Sequence, residues 1–421
     1  MHNKLPAVKI LFIISLLAIL TFYVWIRIEN SQFVREPRAN FGDTHEFLDL
    51  VSVPILSKAF WISLRPPLVP LLYKIVGTDY QKILKLQLWL SIFSWSALGL
   101  AVLSVIKSYP LKIISFLVVL GFSLSAEIIL WDYLILGSSI AISTIALFST
   151  SALLLLSKWS SYRLFILIAA TLFFAFVRDD FTYYILMASF MTLTLLLSTK
   201  QWKRILTVSA IFFFIFFIGN TLSSTSLRWY RPLLNTLSMR ILPNPQYSAY
   251  FEARGMPIDE NPTDLQNWAA EHGKQEFIRF LWFYKADTLQ SVFHDFETVF
   301  SPNVRYYAAT RFRPIIRDAR IDEFLFPMRF GFLAFLAANI LAAACSVIAF
   351  YEKKAIWLMP IALILLTYPQ AVLVWNADAY EIARHSIFHN IMLRLGMHIL
   401  ILFVLDFFIS KLTQTIQQIP H

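Results

Sequence analysis

Ile10-Leu11-Phe12-Ile13-Ile14-Ser15-Leu16-Leu17-Ala18-Ile19-Leu20-Thr21-Phe22-Tyr23-Val24-Trp25-Ile26 runs without a charge between Lys9 and Arg27. Lysines ahead of an apolar run are also the layout of a secretory leader. This run is long, however, and Val24-Trp25-Ile26-Arg27 is no small-residue cleavage site. It reads as a retained first transmembrane helix. The stretch Phe41-Gly42-Asp43-Thr44-His45-Glu46-Phe47-Leu48-Asp49 then places four ionisable side chains beside that helix. Carboxylates held next to lipid cost free energy, so they point to chemistry or ion handling.

The rest of the chain agrees with a membrane home. Of 421 residues, 58% are hydrophobic and 15% charged, where a soluble domain has roughly 45–50% and about 25%. Mean hydropathy is +0.63. The one cysteine, Cys345, excludes an intrachain disulfide. A net charge of +10 does not indicate nucleic acid, because the cations sit at the ends of apolar runs and in one polar region. They suit a membrane with anionic lipid or a phosphate-bearing substrate.

Apolar runs long enough to cross a bilayer of about 30 Å fall near 8–27, 82–106, 112–131, 134–157, 162–178, 181–199, 204–224, 329–350, 355–375 and 389–410. The expected fold is therefore an all-α polytopic membrane protein of about ten transmembrane helices. Three regions follow: an N-terminal membrane module over 1–224 with a first outer loop at 28–81, an extracytoplasmic region at 225–328, and a C-terminal membrane module at 329–421. The outer loop from Thr44 to Tyr73 is apolar but broken by Pro54, Pro66, Pro67 and Pro70. Two short amphipathic helices on the outer leaflet fit it, with a re-entrant hairpin as the alternative. The 225–328 block carries turn signals and a helical pattern near Thr263 to Phe283, and is expected to pack on the bundle.

Short-loop cations set orientation. Lys4, Lys9, Lys107, Lys112, Lys158, Arg163, Lys200, Lys203, Arg204, Lys353, Lys354 and Lys411 share one side if the spans alternate. Both termini are then cytoplasmic. Asp43, Glu46, Asp132, Arg178-Asp179-Asp180, the polar block and Asp378 to His389 gather on the other side.

Each candidate has a plain reading beside a chemical one. Asp43 and Glu46 fit a capping box, or Asp43 is a general base while Glu46 caps. Asp49 lies on another helix face. His45 beside two acids lacks a zinc spacing. Arg65 ahead of Pro66-Pro67 suits a bidentate phosphate contact, or snorkels to headgroups. Arg178-Asp179-Asp180 is a self-compensating turn, or Asp179 and Asp180 bind acceptor, metal or sugar hydroxyls. Glu127 and Asp132 need a partner at their depth. In the last cluster, Glu381 and His385 lie at i, i+4, as do Arg394 and His398. Arg394, about one turn inside the final span, takes a lipid phosphate or pairs with Glu127 or Asp132.

Taken together this layout resembles the GT-C superfamily of membrane glycosyltransferases that use polyprenyl-phosphate-linked sugars, including protein O-mannosyltransferases and the lipid A aminoarabinose transferase. Gly42-Asp43-x-x-Glu46-Phe47 looks like the family's first outer-loop acidic motif. Arg65-Pro66-Pro67-x-x-Pro70 resembles its "RPPxxP" turn, and Arg178-Asp179-Asp180 stands where an "RPE"-like step falls. Glu381-x-x-Arg384-His385 looks like an "ExxRH" signature of bacterial members. The chain departs from the family at Gly137-Ser138-Ser139, where many relatives carry "SES", and in having only three spans after the polar block.

The resemblance implies transfer of a sugar from a polyprenyl-phosphate donor to a lipid, glycan or protein acceptor outside the cytoplasm, with inversion. It implies Asp43 as general base and Glu46, Asp132, Asp179 and Asp180 as acceptor or sugar ligands. Arg65, Arg178, Arg384, His385 and Arg394 would hold the donor phosphate. No cofactor is demanded; a divalent metal is compatible with the carboxylates. The short-loop lysines and the tail signature point to a bacterial inner membrane as the expected home, with the endoplasmic reticulum as the alternative. The alternatives are a transporter or lipid-linked-sugar flippase, and a surface-polysaccharide polymerase or ligase.

Overall fold

The computed structural model describes residues 4–32, 42–194, 201–258, 262–304, 307, 319–328 and 331–417. Among these there is helix and no strand. The helices are α1 (Lys4–Gln32), α2 (Gly42–Ser52), α3 (Lys58–Trp61), α4 (Leu68–Val76), α5 (Tyr80–Val105), α6 (Tyr109–Phe122), α7 (Ala126–Ile129), α8 (Ser138–Ser157), α9 (Ser161–Val177), α10 (Asp179–Thr194) and α11 (Trp202–Thr225). Next come α12 (Tyr230–Thr236), α13 (Pro245–Glu252), α14 (Pro262–Trp268), α15 (Lys274–Phe283), α16 (Lys285–Gln290), α17 (Phe296–Phe300) and α18 (Ala319–Leu325). The chain closes with α19 (Gly331–Tyr351), α20 (Leu358–Leu365), α21 (Thr367–Ala377) and α22 (Ile382–Gln417).

Seven helices among the described residues are long and apolar enough to cross a membrane, with α20 and α21 together forming one of them, as Ala355–Ala377. The protein is thus a multi-pass, all-helical membrane protein. Lipid-type exposure supports this directly. Ile10, Leu11, Ile13, Ile14 and Leu17 of α1 are all more than half exposed, a state that water would penalise and hydrocarbon favours.

Three expectations change. The 112–131 segment is not one straight span: α6 and the Ala126–Tyr133 piece meet at 53°. Two serines, Ser123 and Ser125, bond to carbonyls at the break, Ser123 Oγ to Leu120 O and Ser125 Oγ to Phe122 O. The last span opens at Ile382, not near 389. The outer loop holds three helices, α2, α3 and α4, instead of two. The expected helix near Thr263 to Phe283 is present, as α14, a π turn at Ala269–Gly273, and α15. Lys200 lies outside the described residues.

Chain alternation gives the bundle two distinct ends. At one, the backbone amides of Lys107 and Ser108 donate to Asp406 Oδ1 at 3.0 and 2.9 Å, and Lys411 pairs with Glu352 at 2.7 Å. The other end receives α2 to α4, the start of α22 and the polar region. There Thr44 Oγ1 donates to Ile135 O at 2.6 Å, and Tyr73 Oη donates to Gln87 Oε1 at 2.7 Å. Lys74 Nζ clamps the end of α2 through Val51 O and Val53 O at 2.5 Å each. Gly137, at φ +71°, turns the chain into α8; Val69 and Phe47 lie 3.0 and 3.3 Å from where a Cβ would sit. A side chain there would meet both that strain and those two walls. These contacts fix α2, and with it Asp43 and Glu46, against the bundle.

The polar region has its own small core around Leu237, Phe251, Trp268 and Phe280. It is tied back to the bundle by Tyr368 Oη donating to Leu289 O at 2.6 Å and Asn376 Nδ2 donating to Thr288 O at 3.3 Å.

Candidate functional site

Asp43 lies in the first turn of α2, where the helix N-terminus favours a carboxylate. Its two oxygens take different arginines. Arg65, from the Pro66-Pro67 turn, bonds Oδ1, and Arg384, from the first turn of α22, donates Nη1 to Oδ2 at 2.9 Å. Glu46, one turn further along α2, accepts from Arg65 Nε at 2.6 Å and also pairs with Arg231, just inside α12. Both carboxylates are thus spent on arginines from distant parts of the chain, not on a capping box.

Arg384 continues the chain of charges. Its Nη2 meets Glu381 Oε2 at 2.8 Å, and Tyr307 Oη donates to Glu381 Oε1 at 2.6 Å. Glu381 is not on the helix, as the i, i+4 reading supposed. It stands one residue before α22 with φ 52°, an uncommon conformation for a residue with a Cβ. Its carbonyl accepts from the amides of Arg384 and His385 at 2.9 and 3.2 Å. The side chain is thereby freed for Arg384 instead of His385.

Arg65, Asp43, Arg384 and Glu381 are 12 to 23% exposed. They are sheltered enough for charge to count, yet not sealed. Burial raises the Asp43 carboxyl, but the charges of Arg384 and Arg65 outweigh it and hold it below the usual aspartate value. Arg384 Nε is buried with no hydrogen-bond partner among the described residues.

A second group adjoins the first through His385. Arg178 Nη2 lies 2.9 Å from His385 Nδ1, its Nε donates to Asp180 Oδ1 at 2.8 Å, and its guanidinium sits 4.2 Å over the Phe388 ring. Asp180 also accepts from Gln370 Nε2 at 3.0 Å. His385 Nε2 lies 3.7 Å from Asp378 Oδ2. Asp378 accepts from Asn235 at 3.0 Å, and burial raises its carboxyl. Asp179 turns away from its neighbour and pairs with Arg228 at 3.4 Å.

Two expected site residues stand apart. Asp132 is buried, pairs with Arg27 of α1, and accepts from Ser139 Oγ at 2.6 Å. Arg394 is fully buried, well below the first turn because α22 begins early. It donates to Pro327 O and Phe300 O at 2.9 Å each and to Asn390 Oδ1 at 2.5 Å. Glu127 is near enough to act on it electrostatically. Both residues tie helices together inside the bundle.

Sequence reading missed Arg231, Arg228, Asn235 and Tyr307. A signal existed for the first two. Leu227-Arg228-Trp229-Tyr230-Arg231 puts two cations directly after a span on the side otherwise rich in acids, against the usual loop bias. Among the described residues, no three His, Cys, Asp or Glu side chains form a metal-holding group. The chain matches no family model, no curated protein and no solved structure.

Proposed function

We propose that the protein is a membrane glycosyltransferase that moves a sugar from a polyprenyl-phosphate donor to an acceptor hydroxyl outside the cytoplasm. One observation carries this reading: the Asp43 carboxylate is bracketed by Arg65 and Arg384 at the end of a bundle of apolar helices. A base flanked by guanidiniums is what displacement at a phosphate-bearing anomeric carbon needs. The acceptor oxygen bonds the anomeric carbon, and the bond from that carbon to the phosphate oxygen breaks. The phosphate leaves with the electron pair, and the hydroxyl proton passes to Asp43. The attack is from the opposite face, so configuration inverts.

The pairing also imposes a sequence of events. With both arginines on it, Asp43 is a poor base. A donor phosphate that takes Arg65 and Arg384 strips the carboxylate of its partners and restores its basicity, coupling activation to donor binding. Glu381, Arg178 and His385 support that pair from behind, and Glu46, Asp179 and Asp180 meet acceptor or sugar hydroxyls by giving up part of their pairing with Arg231, Arg228 and Arg178. The ten-span count belongs to this reading: the bent Tyr109–Tyr133 pair, Ser161–Val177 and Asp179–Thr194 complete the seven long spans. So do cytoplasmic termini and a bacterial inner membrane.

A second reading, a transporter or lipid-linked-sugar flippase, draws on the 53° break in the third span, since broken helices often form transport sites. Purified protein with a polyprenyl-phosphate sugar pool and an acceptor extract separates the two. An Asp43→Asn variant, folded to wild-type level, should make no transfer product. Normal transfer by it would end the enzyme reading with Asp43 as base. Preserved movement of lipid-linked sugar without any product from wild type would favour the carrier.

A further inference from the structure

A cavity of about 250 Å³ lies between the polar region, through Arg240, α15 and α16, and the end of α21. Drug-sized pockets run roughly 300–1,000 Å³, so this one holds a single ring and little more. One wall is aromatic and rigid: Tyr247 packs at 5.2 Å on Tyr284 and at 5.0 Å on Phe280. The polar edge is Thr288, Ser291, His294 and Asn376.

Arg240 and Asp287 line the cavity with opposite charges. The Arg240 guanidinium lies 3.8 Å over the Trp375 ring and Nη1 donates to Trp375 O. Its Nη2 is buried with no hydrogen-bond partner among the described residues. Burial brings its pKa down to about 10 despite Asp378 and Asp295 nearby. A half-buried guanidinium with one nitrogen short of an acceptor is costly unless something supplies that acceptor. Asp287, the carboxylate lining the cavity, faces the Tyr247 hydroxyl instead. Aromatic faces, hydroxyl-binding edges and an under-satisfied cation together describe one kind of occupant.

We propose that this cavity binds an anionic sugar one ring wide, its acid group on Arg240 and its ring face on Tyr247 and Tyr284. The site is separate from Asp43 and does not depend on the reading given to that residue. The sugar can arrive free or on a lipid. α15, which lines the cavity through Phe277 and Phe280, also exposes Ile278, Trp282 and Phe283, an apolar surface on the same helix for a lipid-borne ligand.

The test uses the full chain in nanodiscs. Free glucuronate is compared with methyl glucoside, and discs carrying glucuronosyl diacylglycerol with discs carrying glucosyl diacylglycerol. Calorimetry reads affinity, and hydrogen exchange locates the footprint. At least one acidic probe should bind about tenfold or more tighter than its neutral partner, the worth of one charge-assisted contact. Protection should fall on Tyr247 and on residues 285–294. Asp43→Asn should leave this binding unchanged, and Arg240→Gln should weaken it by a similar factor. Binding of the free acid or of the lipid form supports the site and identifies the source. Equal binding of acidic and neutral probes, protection elsewhere, or no binding of either acid overturns it. If Arg240→Gln does not fold, the comparison of acidic with neutral probes on wild type decides alone. Because this assay scores binding and the Asp43 assay scores transfer, either can fail without the other.

Discussion

Asp43 and Arg384 are 341 positions apart in the chain, yet Arg384 Nη1 donates to Asp43 Oδ2 at 2.9 Å. The contact joins the first helix after span one to the first turn of the last span. It ties two ends of the chain together in one ion pair.

Replacing Arg384 with lysine should be far from conservative. The guanidinium serves Asp43 and Glu381 with separate nitrogens, and an ammonium cannot hold that fork. If the protein is the proposed glycosyltransferase, transfer by Arg384→Lys should fall by about tenfold or more, the cost of one charged hydrogen bond. Arg231→Lys should stay within about 1 kcal/mol of wild type in unfolding, because Arg231 is 64% exposed and its pair with Glu46 is screened. Initial rates and thermal unfolding in detergent check both.

The pH dependence follows from the direction of the Asp43 shift. Its folded pKa lies below the ordinary aspartate value of about 3.9, held there by Arg384 and Arg65. Its contribution to stability is therefore full above about pH 4 and is lost as pH falls through the lowered folded value. If Asp43 is the base, the acid limb of kcat/KM, which reports the free enzyme, should also lie below about pH 4. An acid limb near neutrality would point to a different base.

The Arg27–Asp132 pair should behave as a structural element. Both side chains are essentially inaccessible, so removing one partner strands a buried charge, at a cost of about 3–5 kcal/mol. Asp132→Ala should sharply lower the yield of folded protein, and Arg27→Met combined with Asp132→Leu should recover much of it. A yield of the double variant no better than that of Asp132→Ala would show that the pair does more than balance charge.

Sidedness has a clean test. Cys345 is buried, so a cysteine introduced at exposed His45 should label with an impermeant reagent from outside the cytoplasm. One introduced at Lys353 should label only after permeabilisation. The reverse pattern would put the Asp43 cluster in the cytosol and exclude an extracytoplasmic transfer.

Packing inside the bundle predicts a further sensitive position. A Cβ at Gly396 would lie 2.9 Å from Pro360 O and Ile364 Cγ1 and 3.0 Å from Leu363 Cβ, where α22 crosses α20. Gly396→Val should destabilise the protein by about 1–3 kcal/mol through overpacking, read as a lower unfolding temperature.

Much of the architecture was legible because bilayer thickness imposes a length on every span and lipid imposes a composition. The long apolar helices follow from those two constraints and need no knowledge of neighbours. The acidic motif after span one and the arginine before Pro66 were visible for the same reason: charge near lipid is costly and therefore conspicuous. Which charges meet is a different matter. Nothing local separates Asp43, which finds Arg65 and Arg384, from Asp132, which is consumed by Arg27 inside the bundle. Nor does local sequence reveal that Glu381 leaves the helix, or that Arg231 reaches back to Glu46. Ion pairs are chosen by distance in space and by the surrounding dielectric, and both exist only once the helices have packed.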